Sequence, residues 1–110
     1  MSRSANERFD DILSAIERCR SYRNFLGSND NQLSEMALDA TLRNLAVIGE
    51  AVRALPAEII ASMPDLPWTS IAGLRNIVVH EYFRVNPELI SDIVDNYLDQ
   101  LAKALEDSSM

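Results

Sequence analysis

The stretch Gln32-Leu33-Ser34-Glu35-Met36-Ala37-Leu38-Asp39-Ala40-Thr41-Leu42-Arg43-Asn44-Leu45-Ala46-Val47-Ile48-Gly49-Glu50-Ala51-Val52-Arg53-Ala54-Leu55 decides the fold. Leu38, Leu42, Leu45, Ile48, Val52 and Leu55 recur at three- and four-residue spacings, which place them on one face of a helix. Gly49 sits inside that helix at a cost of ~1 kcal/mol relative to alanine. We expect close approach of another helix to be the reason. Asn44 and Glu50 are polar groups on this otherwise apolar element. The pattern leaves open whether they face solvent or stand beside a functional motif.

Working outward, Ser4-Ala5-Asn6-Glu7 matches a capping box, so a first helix should begin near Ala5. Phe9, Ile12, Leu13, Ile16 and Cys19 form its apolar stripe, which Tyr22 and Leu26 extend. Gly27 can take the left-handed conformation that ends a helix. Asp30 or Asn31 can cap the helix that follows. Beyond Leu55, Pro56 suits the first turn of a short helix over Ala57 to Ser62, and Met63 to Pro67 is a proline-punctuated connector. Trp68 opens the third long element as a core anchor, and that helix should span roughly Thr69 to His80, reaching Tyr82 at most. Asn86-Pro87-Glu88 is a strong helix start. Leu89, Ile90, Ile93, Val94, Tyr97, Leu98, Leu101 and Leu105 mark the fourth helix, with Asp92, Asp95, Asp99 and Glu106 on its solvated side. The chain should fray from Asp107.

No stretch carries a strand pattern. Four long helices with short connections predict an all-α, up-and-down four-helix bundle with one extra short helix. At 110 residues the chain fits one domain spanning its whole length. Its net charge of −7, from 10 basic and 17 acidic residues, argues against bulk electrostatic binding of nucleic acid. The acid is concentrated in residues 85–110, however, and nine of the ten basic residues are arginine. The lone Cys19 permits no internal disulfide, which favours an intracellular, cytoplasmic setting. No apolar run reaches the ~20 residues of a membrane span.

The chemistry gathers in Ala72-Gly73-Leu74-Arg75-Asn76-Ile77-Val78-Val79-His80-Glu81-Tyr82-Phe83, which holds the only histidine. On an ideal helix Asn76 and His80 share a face. Arg75 lies about 140° around from His80 and roughly 7.5 Å along the axis. The two converge if the arginine bends back, or if a second subunit brings in another copy. A histidine can move protons at cellular pH, and an arginine can clamp a phosphate and neutralise charge developing on it. Together they suit metal-independent cleavage of RNA by way of the ribose 2′-hydroxyl. A two-histidine mechanism requires a homodimer. Otherwise Glu81, Tyr82 or water supplies the second proton-transfer group. The plain alternative is a structural histidine near a helix end. Cys19 and His80 form no recognised ligand spacing, so no metal or other cofactor is expected.

Arg75-x4-His80-x-Tyr82 resembles the signature of HepT-like proteins, a branch of the HEPN superfamily. Asn44 to Ala51 is similar to that family's second-helix segment, and Leu66 to Gly73 to its lead-in. The likeness runs from about Arg8 to Leu105. It implies a toxin of a prokaryotic toxin–antitoxin pair, a metal-independent endoribonuclease acting as a homodimer. Carried over by position, Arg75 and His80 are the catalytic pair, with Asn76 their polar neighbour. The resemblance also implies a partner, a minimal nucleotidyltransferase antitoxin that inactivates the toxin by moving AMP from ATP onto Tyr82. The helix 4 acids are candidates for meeting a basic surface on it. The rival expectation is a non-catalytic helical module that binds a nucleotide or docks such a partner.

Overall fold

The computed structural model describes residues 4–76 and 87–108. Its first helix, α1 (Ala5–Tyr22), starts on the expected capping box. The Ser4 hydroxyl accepts from the Glu7 amide at 3.1 Å, and the Glu7 carboxylate accepts from the Ser4 amide at 3.1 Å. Phe9, Ile12, Ala15, Ile16 and Cys19 are its buried face. The expected extension to Leu26 is real in burial but not in geometry. α1 gives way to a 3-10 turn, Arg23–Phe25, which carries the buried Leu26 inward. Gly27 then takes φ 75°, a conformation that costs other residues strain, and the chain reverses. Asp30 caps the next helix, its carboxylate accepting from the Leu33 amide at 3.1 Å.

That helix, α2 (Asn31–Arg53), buries Leu42, Leu45, Ile48 and Val52 against α1. The tight connection makes the two antiparallel. Within their interface the Cys19 thiol points at the Thr41 carbonyl oxygen, 4.0 Å away. Burial pushes that thiol up to about 12, so it stays protonated near neutral pH and behaves as a small apolar group. The Thr41 hydroxyl is fully buried and finds no hydrogen-bond partner among the described residues.

The short helix α3 (Ala57–Ser62) follows Pro56, as its sequence requires. Trp68 then opens α4 (Trp68–Ala72). It is half-buried rather than fully enclosed, packing on the core while its indole Nε1 donates to the Met63 carbonyl at 2.7 Å. The uninterrupted helix expected from Thr69 is broken at Gly73, which has ψ −8°. Helical geometry resumes over residues 74–76, whose first amides include Asn76 donating to the Gly73 carbonyl at 3.0 Å. The break falls where this segment lies on Gly49. A Cβ on Gly49 would stand 3.0 Å from the Arg75 amide nitrogen and 3.3 Å from the Ala72 carbonyl oxygen. This is the close approach that the glycine implied.

The last helical run was expected to be regular and is not. It comprises α5 (Pro87–Asp92), a π-helical turn (Ile93–Tyr97) and α6 (Leu98–Ser108). Ile90, Val94 and Leu98 are buried at successive steps of four residues. In a 3.6-residue helix two such steps drift about 80° around the axis. The wider turn absorbs the drift, so that Leu98, Leu101 and Leu105 re-enter the core. The fraying expected from Asp107 is corrected too, since α6 continues through Ser108.

The acidic side of this run is not merely solvated. Arg23 grips Asp95 in the π turn with two bonds of 2.9 Å, and Arg20 reaches Asp99 at 3.1 Å. The Arg23 bonds hold the Asp95 carboxyl below its usual range. Because 20 pairs with 99 and 23 with 95, the run lies antiparallel to α1. The result is the all-α up-and-down arrangement expected. No helix among the described residues is long and apolar enough to cross a membrane.

Two stability changes follow from this packing. Gly49→Val forces a Cβ and two methyl groups against backbone, so urea denaturation should show a loss of about 2–3 kcal/mol. Thr41→Val removes an unpaired buried hydroxyl at constant shape. It should raise the urea midpoint, by ~1 kcal/mol or more in stability. A lowered midpoint would show that the hydroxyl is satisfied after all.

Candidate functional site

The chemistry-bearing segment is positioned by α2. Ile71 and Leu74 are buried, which fixes the inner side of the chain around Gly73. Gly49 lets the backbone from Ala72 to Arg75 sit down on α2. One position further along α2, Glu50 receives the Arg75 side chain: Arg75 Nε bonds Glu50 Oε1. Both side chains remain about half exposed, at 42% and 58%. An ion pair this wet contributes only ~0.2–1 kcal/mol to stability. Its consequence is geometric.

Glu50 occupies the Nε edge of the guanidinium. The terminal nitrogens, Nη1 and Nη2, have no carboxylate partner among the described residues. A guanidinium held in this way offers its outer fork to an anion, and phosphate oxygens match that fork. Asn76, next in sequence, is exposed with its backbone amide already used on Gly73.

Asn44 is not part of this cluster. It is 7% exposed, and its Nδ2 donates to the Ala40 carbonyl at 2.8 Å, one helical turn back. Six residues separate it from Glu50, ~9 Å of helical rise and ~120° of arc. Of the two polar groups on α2 that the sequence left open, Glu50 stands beside the motif and Asn44 packs. No sequence spacing could pair Glu50 with Arg75 across two helices. His80, Glu81 and Tyr82 lie outside the described residues. Among the described residues no three His, Cys, Asp or Glu side chains gather as metal ligands.

Comparison with known proteins places the chain among relatives. A protein of Methanocaldococcus jannaschii named "Putative RNase MJ0127" is 40% identical over 85 residues, which cover 73% of this chain and 70% of that protein. A second from the same organism, "Putative RNase MJ1380", is 30% identical over 96 residues, covering 87% and 88%. "Probable ribonuclease HepT" of Thermococcus cleftensis is 27% identical over 106 residues, 96% of each chain. No solved structure gives a significant match. The family model described as "Ribonuclease HepT-like" matches residues 12–108, from the buried face of α1 to the end of α6. It therefore takes in the Gly49 contact, the Glu50–Arg75 pair and the whole of the motif, and the chain belongs to the HepT-like family of the HEPN superfamily.

Proposed function

We propose that this protein is a metal-independent endoribonuclease in which Arg75 and His80 do the chemistry. The observation that carries the reading is the presentation of Arg75: a half-exposed guanidinium, tethered through Nε by Glu50, with no carboxylate among the described residues on its phosphate-matching Nη fork. Membership of a family whose relatives are named as RNases supports the substrate class.

In this reading a base, His80 or its counterpart in a second subunit, takes the proton of a ribose 2′-hydroxyl. The 2′-oxygen attacks the adjacent phosphorus, the O2′–P bond forms and the P–O5′ bond breaks. Arg75 steadies the charge that builds on the non-bridging oxygens. A second group gives a proton to the departing 5′-oxygen, leaving a 2′,3′-cyclic phosphate and a 5′-hydroxyl. The lone histidine favours a homodimer with two motifs facing one cleft. Asn76 orients the scissile phosphate, and Glu50 acts as a positioning residue for Arg75. Glu81 is a further candidate for the second proton-transfer group.

The biological role follows the family likeness. The protein is the toxin of a toxin–antitoxin pair, acting on cytoplasmic RNA. Its partner nucleotidyltransferase would silence it by transfer to Tyr82: the phenol oxygen bonds the α-phosphorus of ATP, and pyrophosphate leaves. The added AMP brings bulk and negative charge beside His80 and excludes RNA.

Cleavage of a single-stranded RNA should persist in EDTA. It should fall roughly 10²–10⁴-fold in His80→Ala, with a similar order of loss in Arg75→Ala, while both variants keep wild-type circular dichroism. Glu50→Gln should lose less than Arg75→Ala, because the guanidinium is still present but less well aimed. Undiminished cleavage in His80→Ala would end the proposal. Mass spectrometry after incubation with the partner enzyme and ATP should show one or more added AMP units, and Tyr82→Phe should show none. Addition persisting on Tyr82→Phe would move the modification elsewhere.

A further inference from the structure

Six of the described arginines fall into two groups. Arg20 and Arg23 are tied to Asp99 and Asp95 on one side of α1, and Arg75 to Glu50. Arg8, Arg18 and Arg43 hold no ion pair among the described residues, and all three line hollows between the outer surfaces of α1 and α2.

One hollow, about 640 Å³, is bordered by Arg8, Asp11, Arg43, Val47 and Glu50 among others. The other, about 450 Å³, is bordered by Arg18, Tyr22, Arg43, Asn44 and Val47. Arg43 and Val47 border both, so the two hollows lie side by side along α2. α2 supplies the floor: Arg43, Val47, Glu50 and Ala54 recur at spacings of four, three and four residues, one helical stripe. Arg8 and Arg18 lie ten residues apart on α1, ~15 Å along its axis. The groove thus carries three carboxylate-free guanidiniums on a protein whose net charge is −7. Its two carboxylates are Asp11, which is itself engaged in an interaction, and Glu50, already bonded to Arg75. Glu50 is also where the groove meets the motif.

We propose that this α1–α2 groove is a track for the phosphate backbone of a single-stranded RNA, leading the strand to Arg75. The proposal rests on the ribonuclease reading above and assigns Arg8, Arg18 and Arg43 as substrate-binding residues. Charge complementarity selects the occupant. An acidic chain that acts on a polyanion needs its positive charge local rather than global, and a sequence-independent backbone contact needs guanidiniums along a line. The exposed Val47 side chain, at 41%, offers an apolar spot on which a base can lie.

The test uses the full chain carrying His80→Ala, so that binding is measured without turnover. A fluorescent single-stranded RNA is titrated across a salt series, with Arg8→Gln, Arg18→Gln, Arg43→Gln and the triple variant added singly to that background, and with Lys103→Gln as the charge-matched control. Each arginine change should flatten the slope of log K against log salt by about 0.7, the value for one phosphate contact on a single strand. The triple variant should bind at least tenfold more weakly at low salt, and the Lys103→Gln control should bind as the parent does. Unchanged affinity and slope in the triple variant overturn the track, even if the otherwise wild-type chain cleaves RNA. The converse pattern, arginine-dependent binding with no cleavage by the wild type, keeps the track and overturns the ribonuclease reading. Light scattering on the same samples covers the remaining occupant. If the triple variant shifts a dimer to a monomer, the groove is a contact between copies of this chain and the proposal falls.

Discussion

The structure depends on the contact between two backbones at Gly49. Here the segment from Ala72 to Arg75 lies directly on the helix, backbone to backbone. The ~1 kcal/mol of helix propensity lost at the glycine is the cost of that approach. Because the contact is to backbone, it cannot be relieved by a rotamer change. It fixes where Arg75 leaves the chain, and hence where the guanidinium can go. Ile71 and Leu74, both buried, anchor the same segment in the core. The catalytic candidate is thus set by packing within the core, and only its outer atoms are wet.

Electrostatics then sorts residues of one type into different duties. Arg20 and Arg23 join α1 to the last helical run, which fixes its antiparallel direction and grips the π turn at Asp95. Arg75 is aimed by Glu50. Arg8, Arg18 and Arg43 face an open groove. An overall acidic protein can therefore present a local positive surface, because charge is unevenly placed and carboxylates such as Asp95 and Asp99 are engaged elsewhere. Net charge alone argues against polyanion binding, and it does so by averaging over a surface that is not uniform.

The interruptions in helical geometry have causes as specific as the helices themselves. At Gly73 the helix breaks where it meets α2. At Ile93–Tyr97 a wider turn corrects the phase of an apolar stripe spaced in fours. Neither breaks the bundle. The π turn keeps an apolar set that would drift out of register against the core, and each interruption lies next to a polar grip, Arg75 on Glu50 and Arg23 on Asp95.

Local information was sufficient for much of this. The Ser4–Glu7 box, the Asp30 cap, the Gly27 reversal and the stripes of α1 and α2 are all interactions within a few residues, so the order of letters determines them. Gly49 even announced that another element would come close. What came close was not legible. The pairing of Glu50 with Arg75 spans 25 positions, and the burial of Asn44 and the convergence of Arg8, Arg18 and Arg43 depend on how two helices are rotated against each other. Periodicity gives each helix an inner face but not the partner that each outer residue meets. The break at Gly73 and the π turn were missed for the same reason: both are compromises between an element's own geometry and the neighbour it must fit, and that neighbour exists only once the chain has folded.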